Sequence, residues 1–492
     1  MHPLIHEASD AHTPESLVEA IDGEAGIVLL RSGLFDPRQG RYSYVTARPF
    51  LRFRCWGSRC ELTSRRGRYL SYGNPWRVLE DLMARFEMPD EPDLPFPLGG
   101  AFGYWGYDLK NFVEPKLPRR ALHDLDLPDC HVGFYDSLVV FDHGLGKVWV
   151  VGTGLTEDGT RSERRAAAQM EFWKERLGSS FAIKPEADPS PGPAPGDTFT
   201  SNLDREEFIR RVERARAYIR SGDVYQVNLS QRLSAPWPYP AWNLFQNLSA
   251  VSPAPFSAYL DGGEFQIVSS SPELFLRMSG LLVQTRPIKG TRPRSAEPTR
   301  DAQLGYELQT CAKELAELVM ITDLLRNDLG KICEFGSVHT LELARLERYA
   351  QVQHLVSTVE GRLRPWMTHT SAFASCFPGG SITGAPKFRA MEIIDELEPV
   401  ARGPYTGTLG YLGFNRESQL SILIRTAVCA RGTAWLHAGA GIVADSIAAA
   451  EYEETLAKAQ GILEALRLGS LEPRQPLRSL GDSHHHRGPL CQ

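Results

Sequence analysis

Residues 184–198 read KPEADPSPGPAPGDT, where proline, glycine and acidic side chains leave nothing apolar to pack. No hydrophobic core runs through such a stretch, so whatever folds must be built from the residues on either side. We read an N-terminal lobe over 1–183, a linker over 184–198, a second domain over 199–469 and a tail over 470–492. The tail, SLEPRQPLRSLGDSHHHRGPLCQ, lacks an apolar period and is expected to be disordered, its histidines a quirk of composition rather than a metal site.

In the N-terminal lobe GIVLLRSG, RYSYVTARP, LRFRCW and SLVVFDHGLGKVWVVG read as strands joined by Gly and Asp turns. One helix interrupts them at about 75–87, where Trp76, Leu79, Leu82 and Phe86 recur on one face. Past the linker, Phe208, Val212, Ala215 and Ile219 recur at helical spacing behind a capping pair, Asp204 with Glu207, and Gly222 ends the run. VYQVNLSQRL then alternates strictly, which puts Tyr225, Val227 and Leu229 on one side of a strand and Gln226, Asn228 and Ser230 on the other. FQIVSSSPELFLRM, GLLVQTRPIKG, GTLGYLGF, SILIRTAVCA and TAWLHAGAG read as further strands, with helices at about 301–327, 386–397 and 447–467. Hairpins with helices outside them argue for an antiparallel α+β body rather than a βαβ fold.

The net charge of −6 gives no basic footprint, so we expect no nucleic-acid and no membrane partner, only small ligands or other proteins. Eight scattered cysteines without a C-x-x-C pair read as reduced thiols, and no run of 18 apolar residues or signal-peptide pattern occurs. A cytoplasmic protein is expected.

Two helices each offer paired carboxylates. In ELQTCAKELAELVMITDLLRNDLG, Leu308, Cys311, Leu315, Leu318, Thr322, Leu325 and Leu329 form a buried stripe that Glu314 and Glu317 flank together. In EYEETLAKAQ, Glu451 and Glu454 repeat that spacing, with Lys458 one turn further on. Either pair alone is the ordinary pattern of a solvated helix face; four glutamates together would suit a hard cation such as Mg²⁺. PGGSITGAPK lacks the Lys and Ser/Thr that a phosphate-binding loop needs, though the turn before Pro386 still offers free N–H groups to a carboxylate. AGAGIVAD matches a dinucleotide fingerprint but no helix begins at its glycines, which instead let backbone approach a ligand closely. Arg425 reads as lying inside an apolar strand, where a guanidinium needs an anionic partner. Glu273, His354 and Lys289 each have an ordinary reading, as a solvated strand end, a core histidine and a loop lysine. Lys289 becomes a nucleophile only where neighbouring cations such as Arg286, Arg292 and Arg294 favour its free amine, or where a carboxylate such as Glu273 takes its proton.

GDVYQVNLSQR, SSSPELF, RPIKGT, ELAELVMITDLLRNDLGK, VQHLVSTVEG, FPGGSITGAPK, IRT and AGAGIVADS followed by EYEETLAKA resemble, in order and spacing, the chorismate-utilising enzymes: the anthranilate, aminodeoxychorismate, isochorismate and salicylate synthases. LLRSG, RYSYVTARP, NPW and GGAFGYWGYDL are similar to that family's amino-terminal lobe. The resemblance implies a two-lobed antiparallel β-sheet sandwich with helices packed outside, whose domain at 199–469 binds chorismate. It implies Mg²⁺ on Glu314, Glu317, Glu451 and Glu454, and substrate contacts from Gln226, Gly290, Thr291, Ser381, Tyr405, Arg425, Gly439, Gly441 and Lys458. Glu273 becomes a general acid or base at the ring hydroxyl, His354 an orienting or proton-handling group, and Lys289 a catalytic amine. Ser32, Arg41, Tyr42, Pro255 and Phe256 resemble the family's tryptophan pocket.

Within the family, members that add water carry lysine where this chain has Gln226, and anthranilate-forming members read Pro-Ile-Ala-Gly-Thr where this chain reads PIKGT. By that likeness the chain aminates chorismate to 4-amino-4-deoxychorismate through Lys289, toward p-aminobenzoate and folate. No cysteine stands in a Gly-x-Cys-x-Gly setting, so the resemblance implies a separate glutamine amidotransferase subunit as the source of ammonia. Anthranilate formation and an inactive tryptophan-binding regulatory homologue are the alternatives.

Overall fold

Val28–Arg31, Ser137–Asp142 and Phe256–Asp261 carry consecutive apolar residues, the pattern of strands covered on both faces. The computed structural model has them in such a sheet. It describes residues 2–8, 12–33, 40–88, 94–178, 199–349 and 352–469, so the linker and tail readings fall outside the described residues.

Two twelve-stranded antiparallel sheets face each other. In the first, successive side chains of one strand go to different cores. Leu29, Val45, Val139, Val150, Tyr259 and Val268 pack outward with the helices Pro14–Ala20, Glu163–Gly178, Ala241–Val251 and Ala448–Arg467. Val28, Tyr44, Leu138, Val140, Val151, Leu260 and Ile267 instead join Phe53, Phe102 and Phe134 of the second sheet. The helix Pro75–Phe86 lends Trp76, Leu79, Leu82 and Phe86 to that inner core, on the face its spacing predicts. The fold is therefore the expected α+β sandwich with helices outside.

Strands from both sides of residues 184–198 share each sheet. Val28–Arg31 pairs with Phe256–Asp261 in one, and Gly100–Trp105 with Thr408–Gly413 in the other. The linker is a break in composition and not a seam between sheets.

One corner of the sandwich positions Glu273 and Arg425. Gln266–Ser271 pairs with Thr426–Ala430 in the first sheet, while Leu274–Ser279 pairs with Glu417–Ile422 in the second. Two antiparallel segments thus cross between the sheets side by side. Ile422 N–H donates to the Glu273 carbonyl and Ser270 N–H to the Arg425 carbonyl, both at 3.1 Å, and Ser271 Oγ donates to the Ile422 carbonyl at 2.6 Å.

Three expectations change. Arg425 is not inside a strand but at this crossing, with φ of 50°, because the chain must turn there to change sheets. The helix expected over 301–327 is two, Pro298–Thr310 and Ala312–Ile332, because Cys311 takes an extended backbone. Tyr225 precedes the strand Gln226–Pro236 and is exposed, and Gln226, Asn228 and Ser230 are buried along with Val227 and Leu229. The other helices form where expected, at Arg205–Arg220, Lys387–Leu397 and Ala448–Arg467, the first capped by an Asp204 carboxylate that accepts from Glu207 N–H at 2.7 Å.

Because both sheets mix the two halves, a protease site inserted at 184–198 should give, after cleavage, two fragments that co-elute in size-exclusion chromatography and part only in denaturant.

Candidate active site

Glu273 stands at the sheet crossing, 6 % exposed. Burial pushes its carboxyl up to about 7, against the opposing pull of a hydrogen bond with Ser381 and the charges of Lys289 and Lys458. Those three neighbours come from a turn, a strand and a helix, so one carboxyl reports where they converge.

Lys289 lies on Ile288–Pro293, which pairs with Val352–Arg362 through a bulge between Lys289 and Thr291. Gly290 fills the bulge at φ 62°, and a Cβ there would sit 3.1 Å from Glu314 Oε2 and strike Leu308. The extra residue turns Thr291 to the face of His354, whose Nδ1 is 2.9 Å from the Thr291 hydroxyl and 3.4 Å from the Gly290 carbonyl. A carbonyl only accepts, so the tautomer with the proton on Nδ1 fits and leaves Nε2 as an acceptor. Burial, reinforced by Arg425, holds His354 down at about 4, a neutral imidazole. Lys289 lies on the opposite face, its Nζ 3.9 Å from Glu317.

Glu314 and Glu317 come from Ala312–Ile332, and Glu451 and Glu454 from Ala448–Arg467. Basic side chains line up against them: Lys289 on Glu317, Arg292 on Glu314 at 3.8 Å, and Lys458 on Glu454 at 2.7 Å. Burial, with repulsion from Glu314 and Glu454, raises Glu317; burial, with repulsion from Glu454, raises Glu451. Burial works the same way on Glu454, but Lys458, with Lys313 and Lys289, outweighs it and holds that carboxyl below its ordinary range. No three of these four bring oxygens within 4.8 Å of one another. The described residues that do so are Asp108, His123 and Asp129, yet Asp108 already accepts from Lys110 at 3.2 Å and from Gly403 N–H at 3.0 Å. The four glutamates fit a hard cation by donor type, since all offer oxygen and burial strips Glu317 and Glu451 of part of their water.

The strand Thr433–Ile442 pairs with Gln226–Pro236 and presents bare backbone at Gly439 and Gly441. A Cβ on Gly441 would collide with the Gln226 carboxamide and lie 3.8 Å from Lys289 Nζ; one on Gly439 would lie 2.8 Å from Tyr405 Oη. Lys458 Nζ donates to the Gly439 carbonyl at 3.0 Å. Gln226 is 1 % exposed with an Oε1 that makes no hydrogen bond. Arg425 has no hydrogen bond or ion pair from its guanidinium among the described residues, and burial alone lowers it. An unpaired, half-buried guanidinium calls for an anion from outside the chain.

The fold thus gathers Lys289, Glu273, Ser381, Gln226, Gly439, Gly441, Tyr405, Lys458 and the four glutamates on one side, and Gly290, Thr291, His354 and Arg425 beside them. The expected tryptophan residues lie elsewhere. Ser32, Tyr42, Pro255 and Phe256 line a small cavity between the sheets, apart from the residues around Glu273. Arg41 is not on its wall; it grips Asp142 at 2.7 and 2.9 Å and lies over the Tyr42 ring. Sequence reading passed over Glu398 and Arg402, whose E-x-x-x-R spacing looks like a surface helix pair.

A profile of the family described as chorismate binding enzyme matches residues 34–464. The chain is 39% identical over 469 residues to anthranilate synthase component 1 of Thermus thermophilus, covering 94% of this chain and 96% of that one. It is also 39% identical over 441 residues to aminodeoxychorismate synthase component 1 of Escherichia coli, covering 89% and 93%. The crystal structure of anthranilate synthase component I from Streptococcus pneumoniae superimposes with a TM-score of 0.75 at 32% identity, over 87% of this chain and 94% of that chain.

Glu273 also yields a stability prediction. Its folded carboxyl titrates at about 7 against 4.5 for the free group, so its stabilising proton is fully held below 4.5 and lost as pH rises through 7. Glu273→Gln should therefore match the native chain in urea unfolding at pH 4 and exceed it at pH 8 by up to about 3 kcal/mol.

Proposed function

Because the chain belongs to the chorismate binding enzyme family, we propose that this chorismate-utilising enzyme aminates its substrate to 4-amino-4-deoxychorismate. It does so in the cytoplasm, with Mg²⁺ on Glu314, Glu317, Glu451 and Glu454 and ammonia from a glutamine amidotransferase subunit. One observation carries the reading: Lys289 and the Gln226 carboxamide flank the same bare backbone step, Gly441. An amine and a carboxamide share this step, and no second lysine stands at Gln226 to activate water, which supports amination over hydration. Every described cysteine is a free thiol, in keeping with a reducing compartment.

The residues then have these tasks. Arg425, Lys458, Tyr405 and the backbone around Ser381 and Gly439 hold the substrate carboxylates, and Thr291 orients His354. The Lys289 amine bonds to carbon 2 of chorismate as the carbon 4 hydroxyl departs, taking the Glu273 proton and leaving as water. Ammonia bonds to carbon 4 and the bond to Lys289 breaks; the new ammonium returns a proton to Glu273, so enzyme and side chains are regenerated. When bound, Mg²⁺ would neutralise the ring carboxylate while charge shifts across the ring. In this reading the pyruvyl ether stays intact.

Incubation with chorismate, Mg²⁺ and ammonium should give aminodeoxychorismate by mass spectrometry. Anthranilate with pyruvate is the competing outcome, which relatives of equal identity make a real one. Lys289→Ala should end aminodeoxychorismate formation, and a variant that retained it would sink the covalent route. Gly441→Ala, whose Cβ meets Gln226, should cut turnover about 100-fold without unfolding the chain.

The Glu273 carboxyl must begin protonated. At fixed free ammonia, kcat/KM for chorismate should fall as pH rises through about 7. Glu273→Gln should lack that limb and be slower by about 10²- to 10⁴-fold. A chelator should abolish turnover and Mg²⁺ restore it.

A further inference from the structure

Glu398 and Arg402 are 4 % and 1 % exposed at the side chain, four residues apart in the segment that follows the helix Lys387–Leu397. Arg402 Nε and Nη2 donate to the two Glu398 oxygens, both at 2.7 Å. Its remaining donors go to backbone and side chain from three other places. Nη1 donates to the Ile382 carbonyl at 3.1 Å and the Thr406 hydroxyl at 3.2 Å, and Nη2 to the Asn228 carbonyl at 2.9 Å. Glu398 Oε1 in turn accepts from Ser230 N–H and Oγ, both at 2.8 Å. The guanidinium is stacked near the rings of Tyr107 and Tyr405, 4.7 and 5.6 Å from their centroids.

Each segment that Arg402 holds carries a substrate-facing residue one or two positions away. Ile382 follows Ser381, Asn228 is two residues past Gln226, and Thr406 follows Tyr405. Thr406 also has φ of 59°, a conformation that a β-branched residue leaves unless its surroundings hold it. Stability alone does not account for the pair, because replacing a buried ion pair with apolar side chains of similar volume is often neutral or favourable. What a planar fork with five donors supplies, and apolar packing does not, is a fixed distance between carbonyls of separate segments.

We propose that Arg402, braced by Glu398, is a positioning residue that sets the spacing of the Ser381 turn, the Gln226 strand and Tyr405, and thereby the affinity for chorismate. The inference rests on the chorismate reading of the site but not on which product forms. The paired variant Arg402→Met with Glu398→Leu removes both charges together and so avoids a stranded buried ion. Expected are a urea midpoint close to the native one, a Kd and KM for chorismate raised about 10- to 100-fold, and a kcat changed far less. Arg402→Lys keeps the charge without the fork and should raise KM while Glu398 stays neutralised. A folded paired variant with native Kd and KM would overturn the proposal, and so would one that fails to fold, since the pair would then serve folding itself. Kd by titration calorimetry and KM by chorismate consumption are both independent of product. A native enzyme that binds chorismate but yields another product therefore strikes the functional reading and leaves this one standing.

Discussion

Two antiparallel segments cross from one sheet to the other at a single corner, and the site is arranged around that crossing. A strand that changes sheets leaves one ladder before it joins the next, so the residues between are buried without regular pairing. Here the segments satisfy each other, through Ile422 to Glu273 and Ser270 to Arg425. Their side chains are what remains: a carboxyl and a guanidinium in a poorly solvated corner, neither neutralised by an ion pair. Burial then drives Glu273 up and Arg425 down, and holds nearby His354 neutral.

Close approach is the second constraint. At Gly290 a bulge re-aims two neighbours, so that Lys289 faces the glutamates and Thr291 faces His354. At Gly439 and Gly441 the lack of a Cβ lets Tyr405, Gln226 and Lys289 crowd one strand. The amine and the carboxylates reach the same space only because these three positions hold no side chain. The buried Arg402–Glu398 pair acts at longer range, tying the Tyr405 segment to the Gln226 strand and the Ser381 turn.

Much of the site was legible in the order of its segments, since "SSSPELF", "PIKGT" and "EYEETLAKA" match a known family in sequence. Taken singly, the same residues were ordinary. Glu314 and Glu317 read as a solvated face because helical spacing gives direction but not what lies opposite. Arg425 was read inside a strand because an apolar run does not show where the chain changes sheets. Cys311 was read as part of a continuous helix because its extended backbone has no sequence marker. Glu398 and Arg402 escaped notice because i,i+4 pairs of opposite charge abound on exposed helices, and burial comes only from the packing of distant strands.

The sequence by itself determined the elements, the helical faces and the α+β class, because propensity and apolar period act between residues a few positions apart. It also carried the candidate chemical groups, an amine, carboxyls and an imidazole. Only the tertiary structure decided that strands from both sides of the 184–198 segment share each sheet, that the two glutamate pairs lie near one another, and that burial raises the Glu273 carboxyl to about 7. Those depend on desolvation and on charges brought together from residues hundreds of positions apart, and neither quantity exists until the sheets have closed.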